Sequence, residues 1–337
     1  MPAFLVVQTS FLGDVILTTP LIADLAGRGA VDVVTTPAAA GVLANNPAIR
    51  SVIVYDKRGR DAGIGGMLRL AGMLRRTGYD AAYLAQGSWR SAALALAARV
   101  PRRVGFSTSA GKPLYTSRIP RVAGRHHAEH LWRLGAGADA VAPASATLRP
   151  RLYPGESEQL AVTGLLRDVP RDGAALVALA PGSIWGTKRW PHFPALAARL
   201  APLHRLVVLG SEADASLAVA IAEAAGAERV IDATGRLSLL GSAALLARCA
   251  ALVTNDSAPL HLATAMNTPT VAIFGPTVPA FGFGPLADRR AVVELSDLSC
   301  RPCSSHGPEQ CPLGHWKCMQ ELDTTRVLNA VHEVLRA

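Results

Sequence analysis

Short β-rich runs alternate with Ala- and Leu-rich stretches of helical length along almost the whole chain, and no other feature restricts the fold so strongly. Strands are expected near residues 3–8, 31–35, 51–55, 80–85 and 102–105, with helices near 14–27, 64–77, 88–99 and 125–136. A second set follows, with strands near 174–180, 205–210, 229–232, 250–254 and 269–274. Its helices fall near 156–167, 192–203, 212–225, 238–248, 257–267 and 323–336. Such βαβα order is the pattern of parallel sheets covered by helices on both faces. The stretch "ATLRPRLYPGE" at 146–156 separates the two sets. The expectation is an α/β chain of two Rossmann-like domains with a cleft between them, spanning 1–153 and 154–322. A last helix, 323–337, is expected to pack back on the N-terminal domain. Ligands in such sheets bind beyond the carboxyl ends of the strands.

The 337 residues, 50% of them hydrophobic, suit two domains better than one core. No apolar run is long enough to span a membrane, and "MPAFLVVQTS" reads as a first strand rather than a signal peptide. A cytoplasmic protein is expected. The net charge of +9 is unevenly spread: residues 1–150 hold 18 Lys+Arg and 8 Asp+Glu, whereas residues 151–337 hold 16 and 17. A basic first half suits an anionic partner or simply reflects an Arg-rich composition. Nucleic acid is disfavoured, since no nucleic-acid-binding motif is recognisable.

Polar residues at the expected strand ends carry the candidate chemistry. The first βα junction, "VVQTSFLGDVILTTPLIADL", has no GxGxxG, but Gly13 and Asp14 stand at the mouth of the first helix. Gly13 allows a tight turn and close approach of a ligand. Asp14 is either a helix cap or a general base able to reach a substrate hydroxyl. In "LAPGSIWGTKRWPHFPALAARL", Ser183, Thr187 and Lys188 lie in a Gly-containing loop, where a lysine is either a phosphate ligand or a surface charge. Glu212, after Gly210, is a helix-dipole partner or a ribose-hydroxyl acceptor. In "TNDSAPLHLATA", Asp256 and Ser257 open a helix whose free N–H groups suit a diphosphate. Asp256 would repel a phosphate, so it is expected to orient backbone or sugar hydroxyls. His261 is a ligand of that site or a satisfied, partly buried side chain. The tail places Cys300, Cys303, Cys311 and Cys318 in a CxxC pair followed by looser spacing, a candidate structural zinc site or a set of unligated or redox-active thiols.

Together "FLGDVILTTPLIADL", "APGSIWGTKRWPHFPALA", "TNDSAPLHLATAMNTPTVAIFGPT" and "LSCRPC…CPLGHWKCM" resemble glycosyltransferase family 9, the ADP-heptose:lipopolysaccharide heptosyltransferases, in the family's order and over nearly the whole chain. The Cys-rich tail most resembles the heptosyltransferase II branch. The resemblance implies a GT-B fold, an inverting reaction, an ADP-heptose donor held by the C-terminal domain and an acceptor held mainly by the N-terminal one. It implies that Asp14 is the general base and that Thr187 and Lys188 form the donor-diphosphate loop. It further implies that Glu212 holds the ribose, and that Asp256, Ser257 and His261 close on the phosphates and sugar. The sequence departs at Ala258, where the family commonly has Gly; a methyl there crowds backbone approach to a phosphate.

No DxD-like pair lies near the donor loops, so no catalytic metal or cofactor is expected. The basic half would then draw an anionic inner-core lipopolysaccharide acceptor, in peripheral contact with the cytoplasmic face of the inner membrane. Arg58, Arg60, Arg90, Arg118, Arg121 and Arg125 are candidate acceptor contacts because they fall in expected loops or element ends. A nucleotide-sugar epimerase, a family relative with another acceptor and a non-catalytic sugar-nucleotide binder are the other readings.

Overall fold

A computed structural model describes residues 1–170 and 172–336; Arg171 and Ala337 lie outside the described residues. The chain divides into two units, Met1–Tyr153 and Pro154–Ala337. The first contains a six-stranded sheet of β1 (Ala3–Val7), β2 (Ala30–Thr35), β3 (Ser51–Val54), β4 (Ala81–Leu84), β5 (Arg102–Phe106) and β6 (Ser117–Ile119). The second contains β7 (Ala175–Ala180), β8 (His204–Val208), β9 (Val230–Asp232), β10 (Ala251–Asn255), β11 (Thr270–Phe274) and β12 (Arg290–Glu294).

The spatial orders are β3-β2-β1-β4-β5-β6 and β12-β11-β10-β7-β8-β9. Counted from the start of each unit, both follow the doubly wound order 3-2-1-4-5-6, and every strand pair is parallel. The direction of winding reverses between β1 and β4 in the first sheet, and between β7 and β10 in the second. Loops leaving these adjacent strands diverge to opposite faces and open a crevice at the strands' carboxyl ends. The fold thus fixes in advance which two loops of each unit can meet around a ligand.

Central strands of parallel sheets are covered on both faces and read as continuous apolar runs. Leu5, Val6 and Val7 on β1, and Ala251, Leu252 and Val253 on β10, are accordingly fully buried. The edge strands β6 and β12 read as "SRI" and "RAVVE", short segments carrying charge, and were not expected from the sequence. The single helix expected near 14–27 is two helices, Leu12–Leu17 and Thr19–Ala26, because Pro20 has no N–H to continue the first. The final helix, Thr324–Arg336, places Val327, Leu328, Val331 and Val334 in the core of the second unit, alongside Phe193, Leu196 and Ile273. Its apolar face is therefore spent there.

A carboxylate is buried within the first sheet. Asp32 on β2 accepts hydrogen bonds from Arg50 Nε (2.9 Å) and Nη2 (2.6 Å), and from the Tyr79 hydroxyl (2.6 Å). Burial, and then the Asp32 carboxylate, push the Tyr79 phenol well above its ordinary value. Asp32→Ala leaves that hydroxyl without its acceptor. The change is expected to cost about 1.5–3 kcal/mol, seen as an earlier denaturant midpoint, whereas Arg28→Ala, which removes an exposed helix ion pair, shifts it little.

Candidate functional site

In the first unit, β1 ends at Val7, and Gln8, Thr9 and Ser10 lead into the Leu12–Leu17 helix. Asp14 lies in the first turn of that helix, where a carboxylate is favoured by the helix dipole. Gly13 is itself helical, so the tight turn expected there does not form. The Ser10 hydroxyl lies 2.8 Å from Asp14 Oδ2, and His127 Nε2 lies 3.3 Å from Oδ1. Arg121 Nη1 lies 3.4 Å from His127 Nδ1. A guanidinium can only donate, so Nδ1 is the acceptor and Nε2–H is directed at Asp14. Arg121 is seated over the Phe106 ring, 4.0 Å from its centroid. Desolvation lowers the Arg121 pKa, and the Asp14 carboxylate opposes that shift. The carboxylate is thus oriented from two sides by groups 4 and 113 residues away in sequence.

The loop after β4 completes this crevice. Gln86 accepts from the Thr9 hydroxyl, and Lys57 Nζ donates to the Thr9 carbonyl at 2.6 Å. Burial, helped by Arg58 and Arg90, lowers the Lys57 pKa. Of the six arginines singled out in the sequence, Arg121 is brought to Asp14. Arg90 bonds the Lys57 carbonyl at 3.1 Å, Arg60 lies 3.5 Å from Asp61, and Arg58 is exposed on the same turn. Arg118 donates to the Lys112 carbonyl at 3.1 Å, and the charge of Arg125 is matched by Glu129. Ser10, Lys57, Gln86 and His127 were not anticipated. The short run "QTS" before the helix was the one available signal for the first.

In the second unit, Lys188 follows β7 and Asp256 follows β10, the two strands flanking the switch point. Lys188 Nζ is 2.6 Å from Asp256 Oδ2 and 3.1 Å from the Asp256 carbonyl, and both residues are buried. The Thr277 hydroxyl donates to the same carboxylate oxygen at 2.7 Å. Asp256 is therefore neither a helix cap nor a free acid. Asn255 braces this turn: its Oδ1 accepts from Trp190 N–H (3.2 Å), and its Nδ2 donates to the Pro181 carbonyl (2.7 Å).

The Ala258–Ala265 helix starts at Ser257, whose side chain makes no cap bond. Pro259 has no N–H and Leu260 N–H returns to the Ser257 carbonyl, so the donors offered here are the backbone N–H groups of Ser257 and Ala258. His261 is buried one turn on, edge-on to Phe283. Ser183 bonds Trp185 N–H through its hydroxyl, while the Thr187 hydroxyl bonds the Pro308 carbonyl. Glu212 is exposed on a short turn against Gly235, whose φ of +67° no side-chain-bearing residue adopts readily.

A family model for glycosyltransferase family 9 (heptosyltransferase) matches residues 67–317. The chain belongs to glycosyltransferase family 9. It is 27% identical to lipopolysaccharide heptosyltransferase 2 of Salmonella typhimurium, with 98% of each chain covered. It is 33% identical to lipopolysaccharide heptosyltransferase 1 of Pseudomonas aeruginosa, over 89% of this chain and 85% of that one. The solved structure of E. coli ADP-heptose lps heptosyltransferase II matches with a TM-score of 0.78 and 26% identity, covering 100% of this chain and 99% of that one. The family 9 chain is thus a glycosyltransferase of the GT-B class, as its motifs implied.

The Cys-rich tail of this family 9 member also packs against the loop after β11. Among the described residues, no three His, Cys, Asp or Glu side chains gather as a metal would need. Cys318 is buried on the Lys317–Gln320 helix, and burial pushes its thiol up to about 11. Cys303 Sγ is turned toward the Cys300 carbonyl at 3.5 Å. At Cys311 burial works upward, but the backbone N–H groups of residues 313–316 outweigh it and lower the pKa.

Between the first two cysteines, Arg301 has a side chain only 2% exposed. It bonds the carbonyls of Gly275 and Leu295, the Thr277 carbonyl at 2.8 Å and Glu294 Oε2 at 2.7 Å. Cys303 N–H bonds the Pro276 carbonyl at 2.9 Å. The tail therefore clamps the loop that presents Thr277 to Asp256. Arg301 was concealed in the sequence by the cysteines around it.

Behind the first crevice, His130 is buried edge-on to Phe106. Burial pushes its pKa down to about 4, with the positive neighbours Arg121, His127 and Arg133 adding to the shift and Glu129 opposing it. The unfolded chain binds a proton near pH 6.5 that the folded chain refuses until about pH 4. Stability should therefore fall as pH drops through that window, by on the order of 2–3 kcal/mol. His130→Leu is expected to flatten this part of the curve in denaturant titrations, and an unchanged slope would place the titration elsewhere.

Proposed function

We propose that this glycosyltransferase moves a heptose from ADP-heptose to the inner core of lipopolysaccharide, with inversion at the anomeric carbon. The observation that carries this reading is Asp14, a carboxylate held by Ser10 and His127 at the switch point of the first unit, in a family 9 chain. The likeness to lipopolysaccharide heptosyltransferases supports the sugar and acceptor class.

The acceptor hydroxyl gives its proton to Asp14, and its oxygen forms the new bond to the anomeric carbon. The bond from that carbon to the diphosphate oxygen breaks, and ADP leaves with the electron pair. A positioned base contributes about 10²–10⁴-fold to such a step. Lys188 has three N–H donors and uses two on Asp256, which leaves one for the departing phosphate. The N–H groups of Ser257 and Ala258 supply further preorganised donors. Thr187 and Ser183 shape the same loop, Gly13 lies next to the base, and His261 backs the helix start. Glu212 is assigned to the ribose hydroxyls. The displacement as written uses no redox cofactor.

The basic first unit suits an acceptor rich in phosphates and carboxylates. Arg58, Arg60, Arg90, Arg118 and Arg121 remain its proposed contacts, with Arg125 weakest because Glu129 neutralises it. Among the described residues no helix is long and apolar enough to cross a membrane. We place the enzyme on the cytoplasmic face of the inner membrane in peripheral contact.

Mixing the protein with ADP-heptose and a lipopolysaccharide core acceptor should release ADP only when both are present. An epimerase would turn over without acceptor, and a mere binder would release nothing. Asp14→Asn should lower kcat by at least about 10²-fold while ADP binding stays near the wild-type value. Wild-type turnover in that variant, with both substrates saturating, removes Asp14 from the base role.

A further inference from the structure

The first unit carries a second feature, away from Asp14. Residues 57–99 hold eight Lys+Arg and only two acids, Asp61 and Asp80. Asp61 is buried and lies 3.3 Å from Arg69, while Asp80 accepts the Ala3 N–H at 2.8 Å. Both acids are thus engaged locally; Lys57, Arg58, Arg60 and Arg90 belong to the crevice described above, and Arg69, Arg75, Arg76 and Arg99 are the positive charges left to this face.

Two helices that pack on each other form this face, Gly63–Thr77 and Trp89–Ala97. The first buries Gly66, Leu70, Ala71 and Leu74, and turns Ile64 (73% exposed) and Leu68 (53% exposed) to solvent. Ile64, Leu68 and Arg75, spaced by four and seven residues, fall along one edge of that helix, with Arg69 and Arg76 beside them. On the second helix, Trp89 (54% exposed) and Leu96 share an edge at i, i+7 and are likewise exposed.

Neither helix carries an Asp or Glu, so these exposed apolar side chains are bordered by positive charge alone. They match an anionic bilayer interface. There the apolar tips enter the acyl boundary, the indole sits at headgroup level, and arginines reach phosphates with their stems along the apolar surface.

We infer that this two-helix face docks the protein on an anionic lipid bilayer. Ile64, Leu68 and Trp89 insert, and Arg75 and Arg76 bind headgroup phosphates. The inference deepens the proposed function and rests on it for the setting, since a lipid-linked acceptor lies in such a surface.

The test is co-sedimentation of the full chain with phosphatidylglycerol/phosphatidylcholine vesicles and with pure phosphatidylcholine vesicles. Binding is expected to the anionic vesicles, to weaken as salt is raised and to be slight on the neutral ones. Ile64→Asp with Leu68→Asp, and separately Arg75→Glu with Arg76→Glu, should each lower the partition coefficient by about 10-fold or more. All four residues are solvent-exposed, so both variants should keep the wild-type melting temperature.

Unchanged partition in either variant, or equal binding to both vesicle types, overturns the docking face. So does an apolar-to-Asp variant that abolishes self-association rather than lipid binding, because it assigns the face to a second copy. Turnover on a water-soluble acceptor fragment should be the same in wild type and both variants. Intact turnover without vesicle binding rejects the docking face alone, whereas vesicle binding without turnover rejects the transferase reading alone.

Discussion

The second unit is organised around the buried ion pair between Lys188 and Asp256. Burying either charge alone is costly, and removing one partner from such a pair typically costs about 3–5 kcal/mol because the other is left uncompensated. The pair is made sustainable by extra bonds: Thr277 donates to the carboxylate, and the Asp256 carbonyl accepts a second bond from Lys188. These contacts tie together the loops after β7, β10 and β11. The Ser257 and Ala258 N–H groups owe their position to this knot, and so does the direction of the lysine's remaining donor. The Arg301 clamp reaches the same knot through Thr277.

The two units use one plan for different chemistry. In each, the segment after the first strand carries the principal side chain: Asp14 is held by Ser10 beside it and by His127 after the sixth strand, and Lys188 by Asp256 after the fourth. In the first unit the crevice holds a carboxylate, oriented by His127 and by Ser10. In the second it offers donors of hydrogen bonds, set by an internal ion pair. Parallel sheets direct polar loops to one end while their interiors stay apolar. Reactive groups are thus concentrated without disturbing Leu5–Val7 or Ala251–Val253 in the core.

Much of this was legible in the sequence because it is local. Periodic apolar runs gave ten of the twelve strands among the described residues, and polar residues after those runs marked Asp14, Lys188 and Asp256. The edge strands β6 and β12 escaped because pairing on one side needs little hydrophobicity, and their charged residues look like loop. Partnership was less legible than position. Asp256 was read as a helix-start acid because its true partner lies 68 residues earlier. His127 meets Asp14 only through the fold. The cysteine spacing suggested metal, whereas the groups in the tail that shape the site are Arg301 and the Cys303 N–H, which no cysteine pattern reveals.

The proposed reaction requires Lys188 and Asp256 to act as one unit toward the donor. A double-mutant cycle on ADP affinity measures this directly, using Lys188→Met, Asp256→Asn and the pair, each with circular dichroism to confirm folding. Each single change leaves an unmatched buried group, so the double variant should lose much less affinity than the sum of the two. A coupling energy of at least about 1 kcal/mol is the predicted result. Strictly additive losses would contradict the account, because two residues whose effects simply add do not hold the donor turn together.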